Sequence, residues 1–311
     1  MKVIFMGTPD FAVPALNRLH RDGHEIVMTV TQPDRPKGRG RQVSATPVKA
    51  AALALNLPVS QPESIRTVEF GRAVKALQPD VMVVVAFGQI LPKSLLSVPS
   101  YGSINIHASL LPKYRGPAPI QWAIINEEKQ TGVTTMVMDE GLDTGDILLT
   151  EKTDILPEDT AGTLYDRLAG LGAELLGETL RRLGTGNIRP LPQDHRLSTY
   201  APLLKKTDGQ IDWSRPAHTL DAFIRGMSPW PGAFTFHAGK RLKILRAEPA
   251  RTEAREAPGT VVQGFSGELR VMTGDGALSL LDIQGASGKR LSAKDFLRGN
   301  PLPPGTVLTG C

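Results

Sequence analysis

Residues 81–86 read Val-Met-Val-Val-Val-Ala, an apolar run with no polar position to offer to water. A strand solvated on one face alternates apolar and polar residues, whereas one inside a parallel sheet is covered on both faces and reads as a continuous hydrophobic stretch. The run therefore demands helices above and below it, and the neighbouring sequence supplies them. Strands are predicted at 2–6, 25–30 and 102–107, with helices around 14–22, 46–56, 64–77 and 117–126. Pro14 and Pro47 lie near helix starts, where a missing N–H costs nothing. Leu164, Leu168, Leu171, Leu175, Leu176, Leu180 and Leu183 follow the 3.6-residue period and predict a long helix over 161–183. Alternating strand and helix signals mean a doubly wound α/β sheet with right-handed crossovers.

The pattern breaks after residue 185. Gly184, Gly186, Pro190 and Pro192 interrupt the chain, and the residues after them show no period, so a linker is predicted at 189–207. It separates a domain at 1–188 from one at 208–311. The second region predicts one helix at 217–227 and short strands at 232–237, 241–247, 259–263, 268–273 and 277–283, as in a small OB-like β-barrel. Residues 205–311 hold 15 Lys and Arg against 10 Asp and Glu, which is the whole net charge of +5. A second basic cluster occurs at Arg35, Lys37, Arg39 and Arg41, in a connection longer than a plain α/β unit needs. Segregated positive charge points to a polyanion, although such a cluster read alone is equally a solvated loop.

The 311 residues are 41% hydrophobic and 22% charged, a globular composition with no apolar run near membrane-span length. A strand-like run beginning at Lys2 leads to the expectation of no leader peptide. The one cysteine, Cys311, leaves no internal disulfide and no cysteine cluster, which fits a reducing cytoplasm. Six histidines without ligand spacing predict no metal site. Gly7-Thr8-Pro9-Asp10-Phe11 is not Gly-x-Gly-x-x-Gly, so no dinucleotide site is predicted.

In residues 103–107, Ser-Ile-Asn-Ile-His, alternation puts Asn105 and His107 on one face and Ile104 and Ile106 on the other. An amide and an imidazole at a strand's carboxyl end, running into Pro112 and Gly116, suit a ligand site of an open α/β sheet. An edge strand with a solvated polar face is the plain alternative. Asp143 stands in a glycine-containing acidic loop that, taken alone, is most simply a turn. Together Asn105, His107 and Asp143 suit acyl transfer to an amine: an oxyanion donor, a proton carrier and an acidic partner. An α-amino acceptor, with a pKa of about 7.7–8.0, is substantially neutral and needs no covalent relay. Ser109 as nucleophile is disfavoured, since it lacks the Gly-x-Ser-x-Gly elbow.

The segment Asn-x-His-x-Ser-Leu-Leu-Pro-x-x-Arg-Gly, followed by Gly-Leu-Asp-Thr-Gly-Asp, resembles the folate-dependent formyltransferases. Gly7-Thr8-Pro9-Asp10-Phe11, Thr31-Gln32-Pro33-Asp34-Arg35-Pro36, Ala86-Phe87-Gly88 with Ile90-Leu91-Pro92, Ile211-Asp212-Trp213 and Pro229-Trp230-Pro231 extend the resemblance over nearly the full length. The resemblance implies a Rossmann-like formyltransferase domain followed by the barrel. It further implies that the formyl group of 10-formyltetrahydrofolate passes to the α-amino group of methionyl initiator tRNA. Asn105, His107 and Asp143 would be the catalytic set, with Asn105 holding the formyl oxygen and His107, oriented by Asp143, moving the proton. Ser109, Leu110, Leu111 and Pro112 would bear the folate signature. Phe87, Gly88, Ile90, Leu91, Asp139, Glu140, Gly141 and Leu142 would wall the pterin pocket. Arg35, Lys37, Arg39 and Arg41 would reach the tRNA acceptor end. A monomer in a bacterial cytoplasm is expected. The rivals are a same-fold formyltransferase or formyl-folate hydrolase with a small acceptor, and a catalytically idle RNA-binding protein.

Overall fold

The computed structural model describes residues 1–37, 42–265, 267–285 and 288–309, the side chains of Lys37 and Gln42 excepted. The chain divides into two compact units. One comprises 1–119, 130–154 and 165–201; the other comprises 120–129, 155–164 and 202–311.

The first unit begins with β1 (Lys2–Gly7), α1 (Val13–Arg21) and β2 (Glu25–Val30). A hairpin of β3 (Arg35–Lys37) and β4 (Gln42–Ser44) follows, then α2 (Pro47–Ala54), β5 (Val59–Ser60), α3 (Val68–Ala76) and β6 (Val81–Val85). Next come α4 (Lys93–Leu96), β7 (Ser103–His107), α5 (Pro119–Ile125), β8 (Gln130–Val137), β9 (Ile147–Asp154) and α6 (Ala161–Gly184), of which α5 beyond Pro119 and the first turn of α6 fall in the second unit. The seven-stranded sheet has the order β5-β2-β1-β6-β7-β8-β9. Pairing is parallel from β5 to β7, and antiparallel from β7 to β8 and β8 to β9. Strands β8 and β9 are not predicted by the sequence pattern; they turn an otherwise parallel sheet into a mixed one.

Every residue of β6 is buried, as its composition requires. Ile4, Met6, Met82 and Val84 share one core with Phe70 and Val74 of α3 and with Leu95 and Leu96 of α4. On β7, Ile106 faces α6, where a Cβ on Gly172 would lie 2.9 Å from its Cγ2. Helix starts follow local chemistry: Thr46 and Thr67 cap α2 and α3 through their hydroxyls, which accept from Lys49 and Phe70 N–H. The chain leaves β1 towards β2 and β5, then returns to β6 on the other side of β1. That reversal opens a crevice at the strands' carboxyl ends, the usual place for a ligand in such sheets.

The second unit contains α7 (Ala217–Gly226), β10 (Ala233–His237), β11 (Lys240–Ala250), β12 (Val261–Val262) and β13 (Leu269–Met272). It ends with β14 (Ala277–Gln284), β15 (Arg290–Ser292) and α8 (Ala293–Gly299). All five strands predicted from sequence are present, in an antiparallel curled sheet of order β10-β11-β14-β13-β12 with β15 on β14. Its two edges are joined by the last described residues. Thr309 exchanges both backbone hydrogen bonds with Phe236 on β10, while Leu308 N–H donates to Gly259 and Val261 N–H donates to Thr306 beside β12. This bridging turns an open sheet towards a barrel. The Trp213 indole N–H donates to Thr235 Oγ1, and that hydroxyl donates to the Thr309 carbonyl, so the closure is tied into the core.

Leu308 is fully packed in that closure, so Leu308→Ala is expected to cost about 2–5 kcal/mol. Urea unfolding followed by circular dichroism measures it.

Candidate functional site

Strand β7 carries Asn105 and His107 to its carboxyl end. Asn105 sits opposite Val84 on β6 and Met136 on β8, and His107 sits opposite Thr134. Asn105 is half-buried, and among the described residues its side-chain amide has no hydrogen-bond partner. His107 is buried and held: its Nε2 lies 2.8 Å from the Tyr114 carbonyl. A carbonyl only accepts, so Nε2 carries the proton, and the neutral ring keeps its lone pair on Nδ1. Nδ1 stands 3.6 Å from Asp143 Oδ2, too far for a direct hydrogen bond and close enough for strong attraction once the ring is charged. The tautomer is thus set by Tyr114, with Asp143 beside the basic nitrogen. The resemblance implies that Asp143 orients His107; Tyr114 is a further partner of the ring.

Residues 108–116 form the loop that makes this possible. Ser109 Oγ donates to the Lys113 carbonyl at 2.6 Å, closing the loop on itself. Thr134 Oγ1 donates to the Ser109 carbonyl and accepts from Leu111 N–H, so one hydroxyl of β8 pins it twice. Tyr114 N–H donates to Thr199 Oγ1, and Arg115 exchanges backbone hydrogen bonds with Thr199 and Ala201. Tyr114 and Gly116 both take left-handed backbone angles, φ 58° and 108°. At Gly116 only glycine fits, because a Cβ would meet Tyr200 Cε2 at 2.6 Å and the Ala201 carbonyl at 2.9 Å. Its N–H donates to Asp143 Oδ2 at 2.8 Å.

Asp143 lies in the turn between β8 and β9, itself at φ 54°. Asp139 Oδ1 accepts from Gly141 N–H and from Thr144 Oγ1, which folds the turn inward. Gly145 packs so tightly on the Val137 carbonyl that no side chain has room there. Gln193 completes the arrangement. Its Nε2 donates to the carbonyls of Asp143 (2.9 Å) and Gly145 (2.7 Å), and its Oε1 accepts from Arg115 Nε (3.2 Å) and Nη2 (2.6 Å). The stretch predicted as linker therefore carries, in its first half, contacts to this site. Neither Thr134, Gln193 nor Thr199 is marked by any signal in the sequence: none sits in a motif, and Gln193 falls where all periodicity is lost.

Of the other predicted residues, Phe87, Leu91, Ser109 and Leu111 are buried, and Leu110 and Pro112 half-buried. Phe87 and Leu91 belong to the core beneath the loop after β6. Gly88, Ile90, Asp139, Glu140, Gly141 and Leu142 are exposed. Ile90 and Leu142 are apolar side chains 70% and 52% exposed. Glu140 pairs with Lys93 at 2.7 Å and holds its ammonium above the usual range. In the basic segment, Arg35 is exposed on the β3–β4 hairpin, while Arg39 and Arg41 and the Lys37 side chain lie outside the described residues. The hairpin's root is pinned: Asp34 accepts from Lys49 Nζ and Gln61 Nε2, which hold its carboxyl below the usual range. A cavity of about 530 Å³ lies between this hairpin and the ends of β1 and β6, lined by Thr8, Gln32, Arg35, Thr46 and Phe87 among others. No group of three His, Cys, Asp or Glu able to hold a metal ion occurs among the described residues, and no helix among them is long and apolar enough to cross a membrane.

A family model described as formyl transferase matches residues 1–180, and one described as formyl transferase, C-terminal domain, matches 203–301. The methionyl-tRNA formyltransferase of Pelotomaculum thermopropionicum is 53% identical over 99% of this chain and 98% of its own length. That of Caldanaerobacter subterraneus subsp. tengcongensis is 50% identical over 99% and 100%. Among solved structures, an N-formyltransferase from Helicobacter canadensis, in complex with folinic acid and dTDP-3-aminofucose, superimposes with a TM-score of 0.69. It is 19% identical, over 90% of this chain and 98% of its own. HypX from Aquifex aeolicus in complex with tetrahydrofolic acid gives 0.62 at 18% identity, over 96% of this chain and 47% of its own. At such identities these two share the fold.

Gly116→Ala combines a disfavoured φ with a clash and is expected to destabilise by about 1–3 kcal/mol. A melting temperature lower by several degrees, measured by differential scanning calorimetry, is the expected result.

Proposed function

The chain belongs to the formyl transferase family, and from that premise we infer that it transfers the formyl group of 10-formyltetrahydrofolate to the α-amino group of methionyl initiator tRNA. One observation carries this reading: methionyl-tRNA formyltransferases match at about half identity over 99% of the chain, a length that takes in both units. The Helicobacter canadensis N-formyltransferase, solved with dTDP-3-aminofucose, shares only 19%. A small acceptor is correspondingly disfavoured. The chain is an enzyme, and 10-formyltetrahydrofolate is its formyl donor.

The site residues fit this chemistry. An unpartnered amide at Asn105 is free to donate to the formyl oxygen as negative charge develops there. His107 Nδ1 takes a proton from the attacking amine and returns it to the nitrogen that leaves the formyl carbon. Asp143 stabilises the imidazolium between those two events. Tyr114 keeps Nε2 out of the exchange, so one nitrogen performs both transfers. Ile90, Leu142, Leu110 and Pro112 supply apolar surface, and exposed backbone of 88 and 139–141 supplies polar groups, for the pterin ring. Arg35, Lys37, Arg39 and Arg41 meet acceptor-stem phosphates, and the cavity beside Arg35 admits the charged end. The division of labour is a formyltransferase domain at 1–188 and a basic tRNA-holding domain at 208–311. A cytoplasmic monomer completes the proposal.

His107→Ala and Asp143→Ala are each expected to lower kcat at least ~10²-fold with circular dichroism spectra unchanged, assayed by formyl-methionyl-tRNA formation. Near-normal turnover in either removes that residue from the reaction. Replacing Arg35, Lys37, Arg39 and Arg41 by alanine is expected to raise KM for the tRNA. It should also flatten the slope of log affinity against log salt by roughly 0.7–0.9 per lost phosphate contact. An unchanged slope contradicts the RNA role of the hairpin.

A further inference from the structure

We propose that Gln193 is a positioning residue of this active site, clamping the backbone of Asp143 so that its carboxylate stays beside His107. The residue is 6% exposed, and its side-chain amide is saturated. Both N–H groups are spent on the carbonyls of Asp143 and Gly145, and the oxygen takes two donations from the Arg115 guanidinium. A buried amide with every polar atom used is oriented as tightly as a side chain can be.

The partners matter more than their number. Arg115 is followed by Gly116, whose N–H holds Asp143 Oδ2. Asp143 is therefore gripped twice by one dipeptide: at its carboxylate directly by Gly116, and at its carbonyl through Arg115 and Gln193. The two grips close a ring around a residue whose left-handed φ of 54° is unfavourable without support. Opening the ring at Gln193 leaves two carbonyls without their donor, leaves the Arg115 guanidinium only its contact with His195 Nδ1 at 3.0 Å, and frees the turn to relax. The carboxylate then moves from Nδ1, and a shift of about 1 Å at a reacting group can cost on the order of 10²-fold in rate. Gln193 touches no reacting atom in this arrangement; it acts through Asp143.

The proposal rests on the formyl-transfer reading for its kinetic arm and on geometry alone for its structural arm. The structural arm is hydrogen exchange at the Gly116 amide, which donates to Asp143. Gln193→Ala and the isosteric Gln193→Glu, which sets a carboxylate oxygen against two carbonyls, should each exchange this amide at least about tenfold faster. Retained protection in both variants overturns the proposal whatever the reaction proves to be. The kinetic arm compares kcat and KM for formylation of methionyl-tRNA in the same proteins. Expected is a ten- to hundredfold fall in kcat, with KM for each substrate within threefold of wild type. In an Asp143→Asn background the same substitutions should cost less than threefold, because residues acting as one unit are not additive. A full repeat of the loss in that background, a loss confined to KM, or a kcat within twofold of wild type overturns it. Absence of turnover in the wild-type protein would contradict the formyl-transfer reading instead, leaving the exchange result to decide the clamp. Should Gln193→Ala not fold, Gln193→Glu preserves volume and the Arg115 pairing and carries both arms.

Discussion

Two backbone groups two residues apart set the geometry on which this site depends. The Tyr114 carbonyl holds His107 Nε2, and the Gly116 N–H holds Asp143 Oδ2. A short piece of loop thus decides where the imidazole points and where the carboxylate stands. Such precision is unusual for a loop, and the surrounding contacts account for it. Ser109 closes the loop from within, Thr134 pins its start from β8, and Thr199 and Ala201 run alongside its end. The left-handed backbone of Tyr114, which costs a non-glycine residue energy, is held by these neighbours, and that of Asp143 by Gly116 and Gln193, as strained residues at functional sites commonly are.

The same geometry explains why three modest groups suffice for the inferred reaction. A neutral amine is already a competent nucleophile, so no serine or cysteine need be activated. What remains is charge on the formyl oxygen and the traffic of one proton. A single well-aimed oxyanion donor is worth about 2.7–4 kcal/mol in barrier, and the proposed reaction gives that place to Asn105, whose amide has no partner among the described residues. Charge is distributed to match: the first 204 residues are balanced, while the excess of +5 lies beyond them. In the proposed division of labour that excess serves attraction of a polyanion, together with the basic segment Arg35–Arg41 of the first stretch.

Strands and helices with strong periodicity were legible in advance. Val81–Val85 announced a strand buried on both faces, and the leucines over 164–183 announced α6. Strands β8 and β9 were not, because Gln-Thr-Gly-Val-Thr-Thr-Met-Val and Ile-Leu-Leu-Thr-Glu-Lys-Thr-Asp mix polar residues and glycine into both registers. Gly132 is there because the Glu151 carbonyl and Leu110 leave no room for a Cβ, a tertiary reason invisible in one dimension. Asn105 and His107 could be paired from period-two alternation. Asp143 could be added to them only as a chemically fitting third group, since an acidic glycine turn has no distinctive spacing, and the family resemblance then gave it a role. Gln193 could not be found by either route. Its importance lies entirely in what it touches, and it sits in a stretch whose lack of period suggested a tether between domains.

The most direct test supplies 10-formyltetrahydrofolate with methionyl initiator tRNA, and in parallel with small amines and with water alone, and follows transfer of the formyl group. Formyl-methionyl-tRNA as the only product is the expected result, and it fixes donor and acceptor together. Folate turnover onto a small amine or water, with no product on the tRNA, would contradict the account.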